Sequence, residues 1–314
     1  MSETRAALLS DRAILRARGP DVRALLQRLV TGDVEAVTPH RAVYALLLTP
    51  QGKFLFDFFL LADPADETAF LIDCAVARAP ELLRRLTLYK LRTDAGFEDA
   101  SADYTVCAIW GDLPGGLNLP ADPSLTDGPG AATAFAGGTV FFDPRTVDLG
   151  ARAVIPAGNV TEALNRLGAA KATGEDYRAF HVSLGVPDGA RDIRADGDFP
   201  IECNLDLLNG IDFRKGCFVG QEVASRAHRK GKARKRLTVA TVAGPMPDAG
   251  TDIIMGEAKV GTVAGGAGGH VLALVFLDRV AKAGGVEAQA GDAALSLAVP
   301  PYAHFSLAGD EAEA

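Results

Sequence analysis

The densest group of chemically capable side chains is the run Phe213-Arg214-Lys215-Gly216-Cys217-Phe218-Val219-Gly220-Gln221-Glu222. Two glycines, Gly216 and Gly220, bracket the cysteine, and glycine permits backbone conformations that bring a side chain or a ligand close. Gly220 is expected to open a helix over 221–227. A thiol beside Arg214 and Lys215 and ahead of a helix N-terminus favours its thiolate, which is a nucleophile or a metal ligand. The same residues fit an inert cysteine buried beside a glycine turn. Both readings stay open at this point.

Asp57 comes second. It lies within Phe54-Leu55-Phe56-Asp57-Phe58-Phe59-Leu60-Leu61, a strand with apolar residues on both sides. A carboxylate there is costly to bury without a partner. Either a backbone turn or an arginine repairs it, or it faces a ligand. Glu202, in Phe199-Pro200-Ile201-Glu202-Cys203-Asn204-Leu205, precedes an expected short helix over 205–208. Its carboxylate suits the helix dipole, or a ring system with two parallel N–H donors, such as a pterin or a guanidinium. Arg226, Arg229, Lys230, Lys232, Arg234, Lys235 and Arg236 form a basic run in an acidic chain. Such a run is a solvated linker, or a seat for a multiply anionic tail or a limited RNA contact. Trp110 and the Phe-rich strands read as core.

The 314 residues that position these groups are long for one domain, and an apolar fraction of 48% supplies real cores. A net charge of −8 and a pI near 5.2 argue against general nucleic-acid binding. No apolar run approaches about 18 residues, which removes a transmembrane helix, and the sequence carries no secretory signal pattern. Cys74, Cys107, Cys203 and Cys217 are scattered without a CxxC pair. That usage suits a reducing cytosol, so a cytoplasmic protein is expected, with no permanent zinc or cluster site.

Helical spacing of Val22, Leu25, Leu26, Leu29 and Val30 predicts a first helix. Strands are expected over 42–49 and 53–62, joined by a tight turn at Pro50-Gln51-Gly52, then over 70–74. A helix starts at Ala79-Pro80-Glu81. Strands at 104–110, 139–142 and 151–155 and a helix over 175–184 follow, with 112–138 expected as loop. After Arg236, five short strand-like runs at 237–242, 252–255, 258–263, 271–276 and 294–299 suggest a small antiparallel barrel or sandwich. The tail from Ala308 is expected to fray. Hairpins rather than regular βαβ units give an α+β class.

Lys215-Gly216-Cys217-Phe218-Val219-Gly220-Gln221-Glu222 resembles the K-G-C-[YF]-x-G-Q-E signature of the YgfZ family, folate-binding relatives of the glycine-cleavage T-protein. Thr49-Pro50-Gln51-Gly52-Lys53 through Asp57 resembles the hairpin of that family. Gly185-Val186-Pro187-Asp188-Gly189-Ala190-Arg191-Asp192 and the segment 199–205 resemble the parts leading into the signature. Arg226 through Arg236 is similar to the mitochondrial iron–sulfur assembly branch in particular.

The resemblance implies a three-domain ring: two related α+β domains, placed at 1–50 with 140–230 and at 51–139, and a C-terminal antiparallel β-barrel at 233–307. It implies a tetrahydrofolate-binding helper of iron–sulfur cluster assembly or repair whose partners are cluster carriers or client proteins. Glu202 would hold the pterin and Asp57 would lie near the reduced ring. Gly216, Gly220, Gln221, Glu222 and Arg226 would complete the folate set, with the basic run neutralising a polyglutamate tail. Cys217, activated by Lys215, would ligate iron transiently or attack a folate-borne one-carbon unit. The T-protein has a different, cysteine-free sequence there. The standard glycine-cleavage reaction is therefore not implied, and a folate-dependent aminomethyltransferase is the alternative.

Overall fold

The computed structural model describes residues 3–113, 128–229 and 233–308. The chain divides into two compact units. One comprises Met1–Leu48, Leu55–Tyr177 and Asn209–Gln221; the other comprises Thr49–Phe54, Arg178–Leu208 and Glu222–Ala314.

Two sheets build the first unit. A five-stranded sheet runs in the order Val43–Leu48, Phe54–Asp63, Asp66–Ala75, Arg12–Arg18, Gly96–Asp99. Helices Val22–Leu29 and Ala79–Tyr89 cover one face, placing Leu25, Leu26, Leu82 and Leu86 against Phe58, Leu60 and Ile72. The other face meets a six-stranded sheet, where the Phe59 ring lies 6.0 Å from that of Phe141. Burial on both faces explains why the strand Phe54–Asp63 reads as a continuous apolar run rather than an alternation. The second sheet runs Ala170–Lys171, Arg5–Leu8, Tyr104–Trp110, Ala151–Pro156, Gly138–Phe142, Ala132–Phe135. One sheet thus draws on residues 12–99, and the other on residues 5–8 and 104–171.

A buried ion network joins the two sheets. Arg12 donates to Asp73 at 2.6 Å, Arg152 reaches Asp73 at 3.4 Å and Asp143 at 3.1 Å, and Arg145 grips Asp143 through two bonds of 2.9 and 2.7 Å. All three guanidiniums lie over the Phe59 ring, at 5.7, 4.4 and 5.1 Å. Burial opposes the Asp143 charge, but Arg145 and Arg152 together hold its carboxyl below the usual range.

The second unit is dominated by a closed antiparallel barrel ordered Lys235–Ala243, His270–Phe276, Ala258–Ala267, Asp252–Met255, Ala288–Ala290, Ala293–Ala298. Its core gathers Ile253, Val260, Val263, Val271, Ala273 and Val275. All five expected runs are strands. A sixth, only three residues long, and the helix Leu277–Ala283 complete the closure.

Several expectations need correction. The loop expected over 112–138 contains a strand, Ala132–Phe135, while its residues 114–127 lie outside the described residues, as do 309–314 of the tail. Residues 205–208 are a run of turns and no helix, because Asn204 and Asn209 both take left-handed backbone, at φ 60° and 57°. The strands Arg5–Leu8, Arg12–Arg18 and Gly96–Asp99 and the helix Val160–Leu167 were not anticipated.

Candidate functional site

In the first unit the signature segment is fastened along the end of the first helix. The backbone N–H of Asp212 donates to the Thr31 carbonyl at 3.0 Å, and the Thr31 hydroxyl donates to the Gly210 carbonyl at 2.5 Å. Lys215 Nζ then donates to the carbonyls of Val30 and Gly32 at 2.8 and 2.6 Å. Val30 caps the helix Val22–Leu29, so the cation sits where the helix dipole and unmatched carbonyls welcome it. Burial pushes the Lys215 ammonium down to about 8, against the opposing pull of Asp33, Asp212 and Glu35.

Past Lys215 the chain turns outward and back. Gly216 and Cys217 are exposed, Phe218 is buried, and Val219 packs on the helix-side core. Gly220 has φ 82° and requires glycine; the helix Gln221–Arg229 begins directly after it. Gly216 has no such need. Its backbone lies outside the left-handed region, and a Cβ there meets nothing within 4 Å. Of the two readings of Cys217, the buried one is excluded: Cys217 is exposed, whereas Cys74, Cys107 and Cys203 are buried. The Lys215 ammonium is engaged by the two carbonyls upstream of the loop.

Asp57 lies in the same unit but on the interior sheet. It is 9% exposed and accepts a 2.9 Å bond from the Tyr44 hydroxyl. Burial, then the Asp57 charge, push the Tyr44 phenol well up, so it stays protonated and donates. Arg145 lies over the Tyr44 ring at 5.6 Å, linking this pair to the ion network. Tyr44 escaped the sequence reading because its partnership depends on strand register.

Glu202 belongs to the other unit, in the turns after Phe199, with its N–H bonded to the Phe199 carbonyl at 3.0 Å. Its carboxylate, 24% exposed, stands 3.8 Å from Lys235 Nζ. Burial raises its pKa, and Lys235 works against that rise. Asn204 pins this stretch to the barrel by donating to the Leu237 carbonyl at 2.7 Å. Arg236 does the same, donating to the Ile201 carbonyl at 2.7 Å and to Asp206 at 2.8 Å. Lys235 and Arg236 are therefore engaged within their own unit. Arg226 pairs with Glu222 at 3.0 Å on the exposed helix face. Lys230 and Lys232 lie outside the described residues. Among the described residues, no three His, Cys, Asp or Glu side chains gather into a metal site.

Residues 234–305 match the family described as CAF17, C-terminal beta-barrel domain. The human protein named iron-sulfur cluster assembly factor IBA57, mitochondrial, is 30% identical over 318 residues, covering 94% of this chain and 84% of that protein. A Mycosarcoma maydis homologue of the same name is 32% identical over 241 residues, 74% of this chain; the chain spans 55% of that relative's length. The crystal structure of glycine cleavage system aminomethyltransferase T from Bartonella henselae superposes with a TM-score of 0.74 at 15% identity, covering 96% of this chain and 87% of the other. The expected α+β aminomethyltransferase fold with its C-terminal barrel is thus the fold observed. The cytoplasmic placement is overturned, since these relatives are named as mitochondrial. Scattered cysteines, on which that expectation rested, do not distinguish one reducing compartment from another.

Proposed function

Because this chain belongs to the IBA57 family of iron–sulfur cluster assembly factors, we propose that it assists the assembly or repair of iron–sulfur clusters in client proteins and binds tetrahydrofolate in doing so. One observation carries the reading. Of four cysteines only Cys217 is exposed, and it projects from a loop fastened on both sides. One thiolate cannot hold a cluster alone, so Cys217 supplies one ligand and a carrier or client protein the others. Iron and cluster are here cargo rather than a resident cofactor.

In the folate part of the proposal, Glu202 grips the pterin ring and Asp57 lies near its reduced nitrogens, as the YgfZ-like signature and the segments before it imply. Both carboxylates have the half-buried or buried settings in which a charge-assisted bond to a ligand N–H is strong. Gly216, Gly220, Gln221, Glu222 and Arg226 belong to the same proposed set.

The test is paired. Anaerobic calorimetry with tetrahydrofolate compares wild type, Cys217→Ser and Glu202→Ala, and iron–sulfide reconstitution with a cysteine-ligated cluster carrier is run on the same proteins. The expected result is unchanged folate affinity but no shared cluster for Cys217→Ser, and collapsed folate affinity for Glu202→Ala. A shared cluster that survives Cys217→Ser sinks the assembly reading, and wild type that binds no folate sinks the folate part. Folate-dependent aminomethyl transfer is the second reading, favoured by the buried Asp57–Tyr44 pair. It requires methylene-tetrahydrofolate to form from a methylamine donor, and Asp57→Ala to abolish that product.

A further inference from the structure

The sequence alone casts Lys215 as the cation that activates the neighbouring thiol, but its bonds give it a different task. Its ammonium is spent on the Val30 and Gly32 carbonyls, at 2.8 and 2.6 Å, in the turn that ends the helix Val22–Leu29. Those carbonyls lie 185 and 183 residues upstream, so the contact clamps two distant stretches of chain. Other ties run along the same seam: Thr31 to Gly210 and Asp212 to Thr31. On the far side of the loop Phe218 is buried and Val219 packs on the core. Between these fastenings only Gly216 and Cys217 stand clear as exposed residues.

We propose that Lys215 is the positioning residue of this site: by clasping the end of the first helix it fixes the base of the loop and so sets the direction and restricts the motion of the Cys217 thiol. The inference rests on the reading of Cys217 as the ligand shared with a partner. A shared ligand must reach a metal atom at a bond length while the partner holds the remaining positions, so each freely rotating backbone bond lowers the fraction of productive encounters. A lysine stem that buries its methylenes and spends its N–H donors on fixed carbonyls removes that freedom without touching the metal. The Lys215 ammonium also lies over the Phe218 ring, 5.9 Å from its centroid.

The other three cysteines are buried, so a methanethiosulfonate nitroxide attached to the folded chain reports on Cys217. Its spectrum is recorded for wild type, Lys215→Met and Lys215→Arg, with circular dichroism melts as the folding control. The expected result is a slowed, anisotropic label in wild type and a rotational correlation time at least about threefold shorter in Lys215→Met. Lys215→Arg, whose guanidinium also donates to carbonyls, should restore most of the slow motion. If the methionine chain does not fold, Lys215→Gln takes its place, because the shorter amide cannot span both carbonyls. A label equally slow in wild type and in the variant overturns the proposal, and so does an arginine chain as mobile as the methionine one. Neither result touches the reading of Cys217, because the measurement involves no cluster, folate or partner. That reading stands or falls with Cys217→Ser.

Discussion

The first unit holds its cations in two contrasting ways. Arg145 and Arg152 are deeply buried and meet the carboxylate of Asp143 through short charge-assisted bonds, with the Phe59 ring beneath them. Lys215 is half-buried and rests on two carbonyls at a helix end. The guanidinium is planar and forked and suits a fixed, dry junction between two sheets. The ammonium is a compact point donor on a flexible stem, and suits a clasp at the surface. The first arrangement secures the fold, and the second secures one loop. The difference separates residues that keep the unit together from residues that tune what it presents.

Five substitutions break or sharpen that contrast. Asp143→Ala strips the network of a carboxylate shared by two arginines and should cost about 3–5 kcal/mol in urea unfolding. Tyr44→Phe removes a donor from a buried carboxylate and should cost about 1–3 kcal/mol by the same assay. Lys215→Met should cost no more than about 1–2 kcal/mol, with hydrogen exchange quickening over 210–220 and not across the network strands. Gly216→Ala should stay within about 0.5 kcal/mol of wild type, because open space awaits its Cβ. Gly220→Ala, at φ 82°, should cost about 1–2 kcal/mol. A large loss at Gly216, or none at Gly220, contradicts the loop geometry.

The contrast also has a pH signature. Lys215 titrates near 8 in the folded chain, below the ordinary lysine value of 10.5, because burial disfavours its charge. Below about 8 both folded and unfolded chains hold the proton, and stability is level with respect to this group. Between about 8 and 10.5 the unfolded chain binds more protons, so this group's contribution to stability rises with pH. The neutral amine still has two N–H donors for the two carbonyls. In urea melts from pH 7 to 10, wild type should therefore gain relative to Lys215→Arg, whose charge persists. Parallel curves for the two proteins would remove Lys215 as the source.

Much of the barrel was legible. Its strands are short, apolar and punctuated by glycine, and the five visible runs agree with the structure to within a few residues. The loop was legible as a place: the helix after Gly220 begins at Gln221 as expected. What Lys215 does was not legible, because backbone carbonyls carry no signature in the residues that own them. The strand Arg12–Arg18 was hidden by its arginines, which look like surface residues until Asp73 and Asp63 receive them. The helix expected over 205–208 is overruled by the left-handed Asn204 and Asn209. Lys235 and Arg236 read as part of a charged linker, yet their partners Glu202 and Asp206 lie some thirty residues upstream.

The distribution of sulfur has a consequence for trafficking. A soft metal ion must expel a proton before it can bind a thiol. Burial pushes the thiols of Cys74 and Cys107 up to about 12, and that of Cys203 well up, so these groups yield their protons reluctantly. An ion arriving from solution thus finds one exposed thiol, Cys217, while the other three cysteines are buried. Under the proposed assembly role, cargo held there by one sulfur leaves as readily as it arrives, and the next ligand offered sets the direction of transfer.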